Sequence, residues 1–376
     1  MNDSHTADFQ WVTHSDDLSQ LALQWRSLDA LFIDTEFHRE KTFYPELALI
    51  QIFDGQHCYL IEPVAADHCP PFIELLTLES LRKVFHSASE DCEVLYRRFG
   101  CRLVNLWDTQ IAAAYLGDGL NLGYAAMIQK YCDHTLEKGA TRSDWLQRPL
   151  SAQQLQYAID DVLYLGKAYQ QQMKLTQSLP NSESWVTQDC EQLAARVDEL
   201  DDIESAYLDI KNGWKLSNRQ LQRLKNLVEW RERLARERDV PKSFVLKNDV
   251  LFTLAHKGLL NDQRLPDITN WHPASKRRYS EAIIHILKQP YDEALQVKAP
   301  LSPKFWQEYT HKLQQAKDVV ASVAQTLGFE PDVICSKKLL RRYASFLLGF
   351  SNQPPRGWTS LREQYLGEQL HSIFQE

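Results

Sequence analysis

Asp34 and Glu36, one residue apart in the word FIDTEFHRE, are the first place where residue type and spacing suggest chemistry. The apolar run Ala30-Leu31-Phe32-Ile33 leads into them and predicts a strand. Side chains alternate across a strand, so both carboxylates would project from one face, ~6–7 Å apart. Such a pair repels itself unless a cation neutralises it, and a hard divalent ion is the natural partner of oxygen ligands. Asp-x-Glu alone is common, so further carboxylates are needed. In His86-Ser87-Ala88-Ser89-Glu90-Asp91 an Asp falls early in a helix that follows a strand. Asp108-Thr109 opens another helix, where an ordinary N-cap is the competing reading. Tyr157-Ala158-Ile159-Asp160-Asp161 sets Tyr157 and Asp161 four apart on one helical face. In an acidic cluster, one of these groups suits metal binding and the other the orientation of a water. Asp160 or Asp161 could face the metals. The i+4 spacing favours Asp161 and leaves Asp160 expected to be exposed.

The elements that must position these groups are legible in outline. Leu47–Phe53 reads as a strand closed by the turn dipeptide Asp54-Gly55, with 57–61 pairing back as a hairpin. Arg82–His86 is a further strand, followed by a helix over Ser89–Phe99. Residues 151–173 predict a helix opened by Ser151 with Gln154 at the capping-box position. A meander followed by βα alternation predicts a mixed sheet flanked by helices, an α/β fold. Residues 176–188 read as a polar loop and 189–209 as an acidic helical connector. Beyond Trp214 the pattern is almost purely helical. Asn218–Glu237 carries an apolar face of Leu221, Leu224, Leu227 and Val228, and a second helical block covers 304–376.

The chain has 376 residues, 44% of them apolar and 24% charged, the composition of an ordinary globular protein. The N-terminal MNDSHTADFQ lacks a basic region followed by an apolar core, so no signal peptide is expected. No transmembrane segment is expected either. The seven cysteines are odd in number and never C-x-x-C, which argues against a zinc cage or disulfide framework and predicts reduced thiols in a cytoplasmic protein. Net charge is −8, yet residues 210–290 carry 17 Lys/Arg against 8 Asp/Glu, a net +9 that leaves −17 on the remainder. A basic module on an acidic protein is a footprint of phosphate-backbone binding. Arg219, Arg223, Arg231, Arg233, Arg236, Arg238, Lys242 and Lys247 are its candidates; Arg231 and Arg236 are expected to contact substrate, with packing or an ion pair the competing role for Arg231. His86, Arg142 and Trp145 are candidates near the carboxylates: Trp145 for base stacking, with a core tryptophan the competing reading, Arg142 for phosphate, and His86 for the scissile region, with a histidine satisfied by backbone the competing reading.

Asp34-x-Glu36, His86-x₄-Asp91 and Tyr157-x₃-Asp161 together match, in order and spacing, the three motifs of the DEDDy branch of the DEDD exonuclease superfamily. The flanking words HSASEDCEVL, DTQIAAAYLG, RSDWLQRPL and YAIDDVLYL resemble the ribonuclease D family. The similarity runs over roughly residues 10–175. Further on, the words beginning at Leu216 and Trp230 resemble the HRDC module. The resemblance implies four domains or segments: an RNase H-like exonuclease domain over 1–175, the connector over 176–209, an HRDC domain over 210–290 and a divergent HRDC-like domain over 298–376. It implies that Asp34, Glu36, Asp91 and Asp161 ligate two divalent cations, Mg2+ or Mn2+, while Tyr157 positions the attacking water. The expected activity is 3′→5′ hydrolysis of RNA to 5′-mononucleotides, with tRNA precursors as substrate and a monomer as the working form.

Overall fold

The computed structural model describes residues 9–136, 143–179 and 181–375, which divide into two compact units. The first contains residues up to His38, then Glu46–Asp198 and His311 onward; the second contains Arg39–Pro45 and Glu199–Thr310.

The first unit is built on a six-stranded sheet in the order β1-β4-β3-β2-β5-β6. The strands are β1 (Phe9–Val12), β2 (Ala30–His38), β3 (Glu46–Phe53), β4 (Cys58–Ile61), β5 (Arg82–Phe85) and β6 (Leu106–Asp108). β2, β3 and β4 form the expected antiparallel meander, while β1 joins β4, β5 joins β2 and β6 joins β5 in parallel. The short strands β1 and β6 were not anticipated. Each is read into the sheet by its neighbour's free edge rather than by any periodicity of its own. Around the sheet lie α1 (Ser15–Trp25), α2 (Pro63–Asp67), α3 (Pro70–Leu76), α4 (Ser89–Phe99), α5 (Thr109–Tyr115), α6 (Tyr124–Cys132), α7 (Ala152–Thr176) and α8 (Ser182–Ala194). The mixed sheet flanked by helices is therefore the α/β fold expected.

α7 is the long helix that crosses β2 and β3. Its start is the predicted capping box: the Ser151 hydroxyl accepts from the Gln154 N–H, and the Gln154 side chain reaches back to the Ser151 N–H. Midway along it, Gly166 faces the sheet; a Cβ there would lie 2.9 Å from the Phe53 ring and 3.3 Å from Phe32. A helix-interior glycine costs ~1 kcal/mol against alanine, and close approach to the sheet is what offsets it here. α8 departs from expectation, because 182–188 is helical rather than loop. Trp185 and Cys190 on it are wholly buried, and the Cys190 thiol accepts the Asp108 N–H, so its buried stripe is core. Polar residues on its outer face hid that stripe from composition.

In the second unit, α9 (Asn218–Glu237), α10 (Lys242–Val245), α11 (Asn248–Lys257) and α12 (Pro273–Leu287) enclose a core containing Leu221, Leu224, Leu227 and Val228, the face read from sequence. Trp230 packs edge-on against Tyr279, 5.5 Å between centroids, as part of that core's margin. Phe43, from the segment between β2 and β3, belongs to the same core, and the Asp239 carboxylate accepts the Phe43 and Tyr44 N–H groups at 2.9 and 3.0 Å. α13 (Pro303–Glu308) closes the unit in sequence. The C-terminal block, α14 (Thr310–Leu327), α15 (Pro331–Ile334), α16 (Lys337–Leu347), α17 (Ser360–Arg362) and α18 (Glu368–Gln375), clusters with the first unit from His311 onward. Among the described residues no helix is long and apolar enough to cross a membrane.

Candidate active site

β2 is longer than its apolar run suggested and carries the acidic word inside it rather than at its end. It pairs with β5 only over Ala30–Phe32, so from Ile33 onward that edge is open. α4 begins beside this open edge. Its first-turn Asp91 is buried and accepts the Thr35 hydroxyl at 2.5 Å, while Glu90 next to it is exposed. On the other side, β2 and β3 slip register between Glu36 and Phe37: Glu36 faces Leu49 and Phe37 faces Leu47, leaving Ala48 as an extra residue. Such bulges bend a strand and re-aim its side chains. Arg148 secures this one, donating to the Ala48 carbonyl at 2.7 Å while its guanidinium also pairs with Glu62. Nothing in the sequence singled out Arg148, because its partners come together only through the bulge.

Asp161 arrives from α7. One ligand oxygen each from Asp34, Glu36 and Asp161 lie within 4.8 Å of one another, and that cluster contains carboxylates only. Asp91 stands outside this trio, and the Thr35 hydroxyl takes one of its oxygens. Of the two adjacent aspartates, Asp161 is buried at 8% exposure. Asp160 is partly buried rather than exposed, and Gln156 one turn earlier donates to its carboxylate at 2.9 Å. Tyr157 lies a turn before Asp161 on the same face, with its ring against Trp145 at 5.9 Å. Tyr124 of α6 is a second group the sequence did not reveal. Its hydroxyl is within 2.8 and 2.6 Å of the Asp160 and Asp161 carbonyls, and so ties α6 to the turn of α7 that carries the acid.

The crowding shows in the electrostatics. Burial, then Asp34 and Asp91, pushes the Glu36 carboxyl up to about 9. Burial also raises Asp91 to about 7 against the opposing Thr35 hydrogen bond. Asp34 and Asp161 are held well above the carboxylate range, by burial first and then by their acidic neighbours. The Tyr157 phenol is pushed up by burial and by Asp161, Glu36 and Asp34, so it keeps its proton at neutral pH. An all-oxygen set this costly to ionise fits a hard divalent cation, which would repay the mutual repulsion.

The remaining candidates fare differently. Asp108 is the N-cap of α5, accepting the Gln110 and Ile111 N–H groups as well as those of Ser87 and Ala88. His86 turns inward, its Nδ1 2.9 Å from the Thr109 hydroxyl and its ring edge-on to Tyr124. Trp145 is 3% exposed in a core cluster with Leu49, Leu60 and Ala158, which leaves no ring face for a base to stack on. Arg231 is 4% exposed and spent on the Leu246 carbonyl, Asn248 and Glu232. Arg236 is held by Glu232 and the Leu200 carbonyl and lies over the Phe43 ring. These three are packing residues: a helix surface drawn from sequence does not say which arginines a buried glutamate will recruit. Arg142 lies outside the described residues. Arg219, Arg233, Arg238 and Lys247 remain exposed.

Residues 9–177 match the 3′–5′ exonuclease family model, and residues 220–287 match the HRDC domain. Ribonuclease D of Pseudomonas paraeruginosa is 36% identical, over 96% of each chain. The chain belongs to the ribonuclease D family. Ribonuclease D of Escherichia coli is 31% identical over 98% of this chain and 99% of its own, and its crystal structure superposes with a TM-score of 0.87. The catalytic core of RRP6 from Trypanosoma brucei is a more distant likeness, 25% identical with a TM-score of 0.57, covering 76% of this chain and 80% of that one. As a member of this family the protein is a 3′→5′ exoribonuclease, with the exonuclease fold carrying the carboxylates and an HRDC domain following it.

Proposed function

We propose that this chain trims structured RNA, tRNA precursors among them, from the 3′ end, releasing 5′-mononucleotides by hydrolysis that depends on two divalent cations. The observation that carries this is the convergence of Asp34 and Glu36 from β2 with Asp161 from α7 to within 4.8 Å. Asp91 supplies the fourth carboxylate, through the oxygen that Thr35 leaves free. When bound, the cations polarise the terminal phosphodiester and ease the ionisation of water. Mg2+ or Mn2+ suits the all-carboxylate set, which has no His or Cys to favour zinc.

The protein's own groups do the rest. Tyr157 hydrogen-bonds Asp161 and retains its proton, so its oxygen is left to accept from a water and aim it rather than to deprotonate it. The exposed cations of the second unit offer sequence-independent backbone contacts. The E. coli relative's description as an exoribonuclease involved in structured RNA processing supports the same substrate class. We take the working form to be a cytoplasmic monomer.

The test is hydrolysis of matched RNA and DNA oligonucleotides with free or blocked 3′ ends, with and without Mg2+. Release of 5′-mononucleotides from free-ended RNA alone is the expected result. Preferential DNA trimming, or undiminished activity in chelator, would overturn the reading.

A further inference from the structure

Gln51 sits directly opposite Asp34 in the β2–β3 register, and paired residues of antiparallel strands share a face. That face is the one α7 covers, since Phe32 and Phe53, paired on the same side, are what Gly166 approaches. Gln51 is 0% exposed, and neither its amide nitrogen nor its amide oxygen has a hydrogen-bond partner. Leaving a buried polar group unsatisfied is destabilising, so an apolar residue of the same shape would serve this position better if packing were its only duty. Its neighbours along β3, Ile50 and Ile52, are the apolar residues a covered strand calls for. Opposed Cβ atoms stand ~4.5–5.5 Å apart, a span a glutamine amide and an aspartate carboxylate can bridge.

We propose that Gln51 is a positioning residue for the cation site: its amide N–H donates to the Asp34 carboxylate when Asp34 serves as a ligand, fixing which oxygen faces the cation. The inference rests on the reading of Asp34 as a ligand. An amide donating to a ligating carboxylate limits its rotation and orients its lone pairs, the usual duty of groups just behind metal ligands, whose loss typically costs ~10–100-fold in metal affinity or activity.

The decisive experiment is Mn2+ titration calorimetry on the full chain, with thermal unfolding in chelator and RNA hydrolysis alongside, for Gln51→Met and Asp34→Asn. Methionine keeps the volume and removes the amide. The expected result is Mn2+ affinity and kcat both reduced ~10-fold or more in Gln51→Met, KM for RNA unchanged, and a chelated melting temperature equal to or above that of the parent. Unchanged Mn2+ affinity and kcat, with the melting temperature raised or lowered, would make Gln51 a structural residue and overturn the proposal. If Gln51→Met does not fold, Gln51→Leu provides the same comparison; Mn2+ affinity at the parent's value in the folded variant refutes the role. Asp34→Asn separates the two readings. Should it bind Mn2+ as the parent does, the cation-site assignment itself fails. Should it lose Mn2+ while Gln51→Met does not, only the Gln51 proposal fails.

Discussion

Asp160 and Asp161 are neighbours in sequence with opposite surroundings, and they make the sharpest residue-level comparison. Asp161 is part of the three-carboxylate cluster, whereas the Asp160 carboxylate is taken by Gln156. Asp161→Asn is therefore expected to lower kcat at least ~100-fold, the scale of losing one electrostatic stabiliser, while Asp160→Asn changes it less than ~3-fold; single-turnover RNA hydrolysis measures both. The raised carboxyls make a second prediction. Glu36 moves from 4.5 to about 9 on folding, so between those values the folded chain holds more protons than the unfolded one. Stability of the chelated protein is then highest at the acid end of that interval and falls as pH rises through it. Bound cation removes the repulsion, so Mg2+ should raise the melting temperature more at pH 8.5 than at pH 5.5. An equal gain at both would contradict the assignment. The sequence disclosed the acids because motif order and helical spacing are local. It could not disclose that Thr35 would engage Asp91, since that bond crosses from β2 to α4.

At the scale of elements, α7 and the β2–β3 bulge set the geometry. Gly166→Ala ought to stabilise a helix by ~1 kcal/mol on propensity alone. Against the Phe53 ring at 2.9 Å it should instead destabilise by ~1–3 kcal/mol, because overpacking forces the ring or the helix to shift. Urea unfolding reads the sign. Arg148→Met releases the Ala48 carbonyl and the Glu62 pair together, and kcat should fall along with stability as the bulge beneath Glu36 relaxes. RNA hydrolysis at a temperature well below the melting point checks that the loss is not simply unfolding. The capping box of α7 and the apolar face of α9 were visible in sequence because both depend on residues within a few turns. The bulge, β1, β6 and the burial of α8 were not, because each depends on a neighbour far along the chain.

For the molecule as a whole, the C-terminal block and the basic unit carry separate expectations. Arg362 is 4% exposed and binds the Asp189 carboxylate, the Ile334 and Val333 carbonyls and the Tyr115 hydroxyl, so α17 is tied to α5 and α8 by one buried cation. Its pairing outweighs the cost of burial. Arg362→Met leaves Asp189 only the Tyr115 hydroxyl and frees the Ile334 and Val333 carbonyls, and should lower stability by at least ~1–3 kcal/mol in chemical unfolding. In the basic unit, Lys247→Ala should weaken RNA binding at low salt and reduce the slope of log K against log salt by about 1, whereas Arg231→Lys should act on stability instead. What the sequence by itself determined is the fold class and the order of the acidic motifs, because strand alternation and helical period are properties of neighbouring residues. Only the tertiary structure decided that Trp145 and Arg231 are interior and that Arg236 is drawn onto Glu232, that Arg148 and Tyr124 brace the site, and that an unpartnered Gln51 faces Asp34. Burial and hydrogen-bond pairing are set by residues distant in the chain, and no local pattern encodes them.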